Sequence, residues 1–259
     1  MIGVAVDLGT TNIGLSLSKG GKIVKRESFP NIQKIYGADI ISRIFSAIKK
    51  DKTSIITKQI REEIIRIISS LVDIKELEKL VIVGNPTMIS FILDEDLISL
   101  SEFPFNPKTN LEKRIKGKEI FGDRLENIDL YFPPVLGGQV GSDILADLVA
   151  LSSDDSFLLL DIGTNCEIAL KKNKEFFICS VPAGNAFLGL NEKYGSDTLE
   201  KLSQKFESRK IGKEEEDLLF AKAALITAIK TLLKETRTEI ENLKKIVITG
   251  IFGNKLSSK

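Results

Sequence analysis

Apolar residues near the start of the chain recur at every second position, a pattern that predicts half-buried strands. Three such stretches cover residues 4–7, 13–18 and 22–29. A Gly20-Gly21 pair separates the second stretch from the third and is typical of a tight hairpin turn. The sequence therefore predicts that the chain opens with three consecutive strands joined by short turns.

The spacing of apolar residues then changes from that of a strand to that of a helix. Residues 38–49 show this period, and residues 53–71 repeat isoleucine at helical spacing, which predicts an amphipathic helix with its isoleucines in the core. The apolar run at 79–85 predicts a buried strand that ends in Gly-Asn. Pro86 follows it and favours the start of a short helix.

An irregular stretch at about 98–136 interrupts this regular pattern. Residues 103–136 hold four prolines and many charges, together with aromatic residues that need burial. We therefore expect an insertion with short strands inside the first domain. We expect Phe103 and Phe105 to fill the core rather than to form a partner surface.

The second half of the sequence restarts the same cycle. The predicted elements are a helix at 140–151, a strand at 157–161, a hairpin of 166–170 with 175–181, helices at 196–207 and 214–235, and a strand at 244–250. In both halves a strand, a turn and two further strands precede helices and a strand that ends in glycine. This weak internal duplication predicts two α/β domains, 1–151 and 152–259.

The composition excludes several kinds of catalytic site. The 259 residues include no histidine, which excludes Ser-His-Asp triads and His-ligated metals. Cys166 and Cys179 are the two cysteines, too few for a disulfide scaffold or an iron–sulfur cluster, and we expect both to be reduced core residues. The formal net charge of +1 gives no reason to expect nucleic acid or an anionic membrane as a partner. The absence of a long apolar run and of a basic leader predicts a cytoplasmic protein that does not span a membrane.

A short motif ends a strand in each half of the sequence. Residues 4–17 read VAVDLGTTNIGLSL, and residues 157–170 read FLLLDIGTNCEIAL. In both, an apolar strand reaches an aspartate, Asp7 or Asp161, and the chain turns back through glycine, threonine and asparagine. Backbone N–H groups that converge from such a turn bind phosphate, because glycine lets the backbone approach and the short side chains add donors.

The aspartate of each motif would repel phosphate in direct contact. Its natural place is beside Mg²⁺, which prefers one or two carboxylates together with phosphate oxygens. A single copy of the motif is equally consistent with an ordinary hairpin and a capped aspartate. Two copies that face each other from duplicated domains favour a clamp on a polyphosphate and its metal.

These motifs resemble the two phosphate loops of the ATPase superfamily that includes actin, sugar kinases and heat-shock chaperones. VITGIFG at 247–253 resembles the adenosine loop of that superfamily. The resemblance implies an α/β fold of two ribonuclease-H-like (actin-like ATPase) domains that flank a nucleotide cleft. It implies ATP or ADP bound with Mg²⁺, and Asp7 and Asp161 as catalytic carboxylates on the metal side. The implied cofactor-binding residues are Gly9, Thr10, Thr11, Asn12, Gly163, Thr164, Asn165, Gly250 and Gly253.

Asp143 lies at the start of a predicted helix. It matches a position where the superfamily often keeps a carboxylate or amide that orients the attacking water, which implies a catalytic role. A helix cap, or a first-turn acid favourable to the helix dipole, is the equally open alternative.

A narrower resemblance covers most of the chain. The stretches NIQKIYGADIISRI, VGNPTM, FPFNP, PPVLGGQVGSDILADL, DIGTNCEIAL and AGNAFLG resemble the nucleotide-binding domain of the reductive activators of corrinoid proteins. In that family, ATP use drives an uphill electron transfer that returns an inactive Co(II) corrinoid to Co(I). The resemblance implies a corrinoid protein or methyltransferase as partner and an external electron donor, leaves a homodimer open, and adds Gly184 of AGNAFLG to the nucleotide site.

The chain departs from this family in two respects. The family usually carries a ferredoxin-like domain with four cysteines, whereas this chain starts on the first nucleotide-binding strand, so we expect no iron–sulfur cluster in it. The family also continues well beyond the adenosine loop, whereas this chain ends at Lys259. We therefore expect a second domain that is truncated at its C-terminus.

Two other functions are consistent with the same residues. Type III pantothenate kinases share the superfamily and the approximate length, and Asp143 would serve as the base of such a small-molecule kinase. A nucleotide-binding regulatory module without turnover is the other alternative. The middle motifs favour the corrinoid activators over both.

Overall fold

The structure is a computed structural model that describes residues 1–49, 52–152, 154–187 and 212–253. The chain divides into two compact units, Met1–Ala150 and Leu151–Lys259. The helix predicted at 196–207 lies outside the described residues. No helix within the described ranges is both long enough and apolar enough to cross a bilayer.

The first unit is built on a six-stranded sheet. The strands are β1 (Ile2–Leu8), β2 (Asn12–Lys19), β3 (Lys22–Pro30), β4 (Lys79–Gly84), β5 (Lys113–Lys116) and β6 (Asp129–Phe132), and their order across the sheet is β3-β2-β1-β4-β6-β5. β1, β2 and β3 pair antiparallel, which confirms the predicted three-stranded opening. β4 pairs parallel with β1, and β6 pairs parallel with β4.

Six α-helices accompany this sheet among the described residues. They are α1 (Ile40–Lys49), α2 (Thr53–Ser69), α3 (Pro86–Leu93), α4 (Ile98–Ser101), α5 (Lys118–Phe121) and α6 (Ser142–Leu151). Six of the seven isoleucines of α2 belong to the buried core, and Ile56, Ile60 and Ile64 among them are fully buried. The predicted core role is confirmed for these six and is wrong for Ile55, which is 50% exposed at the start of the helix.

Strand alternation decides which way Asp7 points. Val4, Val6 and Leu8 are buried in the core, so Ala5 and Asp7 lie on the opposite face of β1. A shift of one residue would exchange the two faces, and the buried apolar set therefore holds Asp7 out of the core.

The segment predicted as an irregular insertion contributes β5 and β6 to the edge of the main sheet. Phe121 and Phe132 from this segment are buried. The expectation that Phe103 fills the core is wrong, because its side chain is 88% exposed. Phe103 and Phe105 instead contact each other edge to face, with ring centroids 6.2 Å apart, in a proline-containing loop at the surface.

The second unit repeats this arrangement in smaller form. Its described elements are β7 (Phe157–Ile162), β8 (Cys166–Lys172), β9 (Glu175–Val181), α7 (Lys213–Glu235), β10 (Lys245–Thr249) and α8 (Gly250–Gly253). The sheet order is β10-β7-β8-β9, with β10 parallel to β7 and the other pairs antiparallel. This is the order of β4-β1-β2-β3 in the first unit, which confirms the predicted duplication.

The two cysteines lie on strands of the second sheet and are free thiols. Cys166 is buried and Cys179 half-buried, and both pack in apolar clusters that include residues of α7. Burial, with added repulsion from Glu167 and Asp161, raises the pKa of Cys166 to about 12. A thiol with this pKa is protonated at neutral pH and is a poor nucleophile, as expected of a reduced core residue.

Candidate functional site

The first candidate phosphate loop, residues 9–11, connects β1 to β2. Each of its three carbonyl groups accepts a hydrogen bond from a buried residue behind the loop. Asn31 Nδ2 donates to the oxygen of Gly9 at 2.8 Å, and the backbone N–H of Asn31 donates to Thr11 at 2.9 Å. The guanidinium of Arg43 donates to the oxygen of Thr10. Asn31 is 1% exposed and Arg43 is fully buried, so both donors belong to the interior of the unit.

These hydrogen bonds orient the peptide groups of the loop. In a trans peptide the N–H points opposite to the C=O. Because the carbonyls of Gly9, Thr10 and Thr11 point towards Asn31 and Arg43, the N–H groups of the residues that follow them point to the other side. Successive N–H groups on one side of a turn form a concave site for an anion.

The side chain of Thr10 is engaged elsewhere. It is 4% exposed, and its hydroxyl oxygen accepts a hydrogen bond from Asn85 Nδ2 at 3.0 Å. Asn85 also caps α3, since its Oδ1 accepts from the N–H of Met88 at 3.0 Å. Any contact of Thr10 with phosphate would therefore come from its backbone, and the hydroxyl instead fastens the loop to the end of β4.

Three acidic residues of the first unit lie close enough to repel one another. Asp7 is exposed at the surface of β1, and desolvation by the surrounding protein, followed by repulsion from Asp143 and Asp147, raises its pKa to about 7. Burial and Asp143 raise the pKa of Asp147 to about 6. Sequence reasoning missed Asp147, although its spacing of four residues from Asp143 places both on one side of α6.

Asp143 occupies the first turn of α6. Its Oδ1 accepts a hydrogen bond from the backbone N–H of Ile144 at 2.9 Å, the contact expected of a first-turn acid. Burial nevertheless raises the pKa of the carboxyl. Gly141, two residues earlier, packs so tightly that a Cβ there would overlap the oxygen of Gly84 at the end of β4. Asp143 makes the helix contact and also lies close enough to Asp7 to repel it.

The second candidate loop, residues 163–165, connects β7 to β8. The N–H of Gly163 donates to the oxygen of Asn165 at 2.9 Å and closes the turn. Gly184 packs directly against this loop, because a Cβ at residue 184 would overlap the carbonyl oxygens of Gly163 and Thr164. The loop backbone and Gly184 are therefore in contact without any intervening side chain.

Gly250 packs directly against Asp161, as Gly184 does against the second loop. Its φ is +86°, in the left-handed region, and a Cβ there would overlap Asp161 Oδ1 and lie 2.6 Å from the oxygen of Ile162. Gly253 is buried, and a Cβ there would lie 2.9 Å from Ile248 Cγ2. Packing within the unit therefore excludes a side chain at residue 250 and disfavours one at residue 253, independently of any contact with adenosine.

The predicted site residues form one group in each unit. Asp7, the first loop and Asp143 belong to the first group, and Asp161, the second loop, Gly184 and Gly250 to the second. Sequence reasoning missed Glu167 in the second group. Glu167 is directly opposite Asp161 on the neighbouring strand, is 7% exposed, and accepts a hydrogen bond from Ser180 Oγ at 3.2 Å.

Gly163→Ala tests whether glycine at residue 163 is needed for stability or for ligand binding. A Cβ at residue 163 would lie 3.4 Å from the oxygen of Asn165, an ordinary contact, so we expect the melting temperature to stay close to that of the parent. If phosphate lies against the loop, the added methyl group should weaken ATP binding by roughly 10- to 100-fold. Scanning calorimetry and titration calorimetry measure the two effects, and unchanged affinity would show that no ligand approaches the loop closely.

Family models of known proteins match both parts of the chain. The model described as the RACo middle region matches residues 2–156, and the model of the C-terminal ASKHA domain of RACo matches residues 155–211.

Two curated relatives come from different organisms. The corrinoid activation enzyme RamQ of Eubacterium limosum is 30% identical over 196 residues, which cover 72% of this chain and 33% of the relative. The [Co(II) methylated amine-specific corrinoid protein] reductase of Methanosarcina barkeri is 28% identical over 207 residues, which cover 73% of this chain and 37% of the relative. The chain thus spans about a third of the length of these curated relatives.

A solved structure supports the fold. It is a reductive activator for a corrinoid, iron-sulfur protein, and it aligns with a TM-score of 0.79 at 20% identity over 99% of this chain and 58% of that one. The predicted class, an α/β fold of the actin-like ATPase type built on two sheets, is confirmed.

Proposed function

Because this chain belongs to the RACo family of reductive activators of corrinoid proteins, we propose that it binds ATP with Mg²⁺ and assists the ATP-driven reductive reactivation of a corrinoid protein. The observation that carries the proposal is the family match over residues 2–156, more than half of the chain. The names of the curated relatives support it, since one is a corrinoid activation enzyme and the other a reductase of a Co(II) corrinoid protein. The electron comes from a donor outside this chain.

The two loops are the phosphate-binding elements of this proposal. In the first loop, the N–H groups of Thr10, Thr11 and Asn12 lie on the side opposite the buried donors that fix the carbonyls. Fixed N–H groups need no reorganisation when an anion arrives, which favours phosphate over ligands that carry no charge. We assign the corresponding role in the second unit to residues 163–165.

The described residues fit a magnesium ion that arrives with the nucleotide. They contain no group of three or more His, Cys, Asp or Glu side chains that would hold a metal alone. Mg²⁺ in nucleotide sites typically takes one or two carboxylates and completes its shell with phosphate oxygens and water. Asp7, which Asp143 and Asp147 repel, and Asp161 are the carboxylates that we assign to it. Bound Mg²⁺ would neutralise charge on the phosphates.

Asp143 is the residue that we assign to the attacking water. Its place near Asp7 puts a second carboxyl on the same side of the first unit, and its hydrogen bond to the N–H of Ile144 holds it on the first turn of α6. A carboxyl fixed in this way would orient water rather than bind the metal directly.

Turnover is the test of this function. We expect the purified full chain to bind ATP in the presence of Mg²⁺ and to hydrolyse it slowly or not at all by itself. Addition of a corrinoid protein in the Co(II) state should raise the rate of phosphate release, because a reactivator couples nucleotide state to a protein partner. The methylated-amine-specific corrinoid protein of Methanosarcina barkeri is a suitable probe, and absorbance of the corrinoid reports Co(I) formation when a low-potential reductant is present.

Addition of pantothenate is the control for kinase activity, with mass spectrometry to detect a phosphorylated product. Stoichiometric phosphorylation of pantothenate would replace the proposal by the kinase alternative. Tight ATP binding with no response to the corrinoid protein would favour the regulatory module. Failure to bind any adenine nucleotide at millimolar concentration would contradict all three functions.

A further inference from the structure

Arg43 is a buried charge behind the first loop. It lies on α1, is fully buried, and is among the largest fully buried side chains of the described residues. Its guanidinium donates to three acceptors: Nε to the oxygen of Gly37 at 2.9 Å, Nη1 to the sulfur of Met88 at 3.4 Å, and Nη2 to the oxygen of Thr10. All three acceptors are neutral.

No carboxylate compensates this charge at close range. Among the residues that the structure describes, no ion pair within 4.0 Å includes Arg43. Asp39 interacts with it electrostatically, but a carboxylate oxygen of Asp39 accepts from the N–H of Ser42 at 2.8 Å. Burial lowers the pKa of Arg43 to about 10, so the side chain stays protonated at neutral pH. A buried cation without a hydrogen-bonded anion is unfavourable unless something else stabilises it.

The contact with Thr10 transmits this charge to the ligand side of the loop. Arg43 binds the carbonyl oxygen of the peptide between Thr10 and Thr11, whose N–H points the opposite way. A charged donor on the oxygen polarises the peptide and strengthens that N–H as a donor. The planar fork also joins Gly37 to Thr10, two segments that a single ammonium group would bridge less well.

We propose that Arg43 is a positioning residue that makes the first loop selective for phosphorylated ligands. It fixes the Thr10 peptide from behind and supplies the positive charge that a bound phosphate complements across the loop. This inference rests on the proposed function, because it assigns the phosphate preference of that site to a residue that does not touch the nucleotide.

The test compares nucleotides that differ in phosphate content. Arg43→Met, which keeps an unbranched apolar stem and removes the guanidinium with its charge, should weaken binding of ATP and ADP by roughly 10- to 100-fold and leave adenosine binding unchanged. Arg43→Lys should recover part of the lost affinity, since it keeps the charge without the fork. Displacement calorimetry on the full chain gives the ratio of ATP to adenosine affinity for each variant.

Thr57→Val is the matched control. Thr57 is 4% exposed, and its hydroxyl donates to the oxygen of Phe91 at 2.8 Å, so the substitution removes a buried hydrogen bond from the same unit without touching the loop. We expect its affinity ratio to equal that of the parent. If the ratio of ATP to adenosine affinity in Arg43→Met equals that of the parent, the inference is wrong. This holds whether both affinities fall together or neither falls.

Arg43→Lys decides the matter if Arg43→Met does not fold. Its ratio of ATP to adenosine affinity should be below that of the parent, and an unchanged ratio would reject a role in phosphate preference. A parent chain that binds no ATP would instead reject the proposed function. The two failures are therefore distinguishable.

Discussion

Gly184→Ala is expected to abolish ATP binding and to destabilise the second unit. The new Cβ would overlap the carbonyl oxygens of Gly163 and Thr164, and both are backbone atoms that cannot rotate away. The chain at residue 184 and the second loop would therefore have to separate. Overpacking of this kind costs about 3 kcal/mol or more when the neighbours cannot yield. Because the loop itself moves, the phosphate contacts assigned to it are lost together with stability.

Scanning calorimetry and titration with ATP and Mg²⁺ measure the two losses. Gly212→Ala is the control in the same unit, because a Cβ at residue 212 would meet no atom closer than 3.9 Å. That variant should bind ATP like the parent. A Gly184→Ala protein with the melting temperature and ATP affinity of the parent would show that the loop does not pack against residue 184.

Local pattern was sufficient to predict the opening strands and the amphipathic helix α2. In β1 the apolar set Val4, Val6 and Leu8 has no competing register, because a shift of one residue would bury Asp7. The isoleucine pattern of α2 gives the helix one apolar side, and this side is buried. In both cases the residues that determine the element are neighbours in the sequence.

The contacts that shape the first loop could not be predicted in this way. Asn31 lies 22 residues from Gly9, Arg43 lies 33 from Thr10, and Asn85 lies 75 from Thr10. No local period indicates that side chains so distant in sequence meet behind one turn. An arginine on an amphipathic helix ordinarily predicts an exposed position, whereas Arg43 is buried and donates hydrogen bonds to the oxygens of Gly37 and Thr10 and to the sulfur of Met88.

The roles of Gly184 and Phe103 in the fold could not be predicted locally either. Gly184 was assigned to the site by resemblance alone, and only the fold shows that its missing side chain makes room for loop oxygens. Phe103 was expected in the core because aromatic residues favour burial. Phe121 and Phe132 occupy the core at that edge of the sheet, and Phe103 stays in the surface loop. Composition indicated that burial was needed, but not which ring would be buried.

The proposed function assigns Mg²⁺ to two carboxylates, Asp7 and Asp161, that lie in different structural settings. Asp7 lies on the face of β1 opposite the core and is repelled by Asp143 and Asp147, so loss of its charge removes repulsion in the free protein. Asp161 is half-buried, and Gly250 packs against its Oδ1. Asparagine has nearly the size of aspartate, and substitution by asparagine therefore tests the charge at both positions without opening a cavity.

Asp7→Asn and Asp161→Asn are each expected to weaken Mg²⁺-dependent ATP binding by roughly 10- to 100-fold, the usual cost of removing a group that holds a metal or its waters. Binding of ATP without Mg²⁺ should change far less, because the backbone N–H groups of the loops remain. Titrations with and without Mg²⁺ measure this difference, and melting temperatures confirm that both variants fold. Asp129→Asn is the control, since Asp129 is an exposed acid of the same sheet that pairs with Lys116. A variant that keeps the Mg²⁺ dependence of the parent would show that its aspartate does not serve the metal.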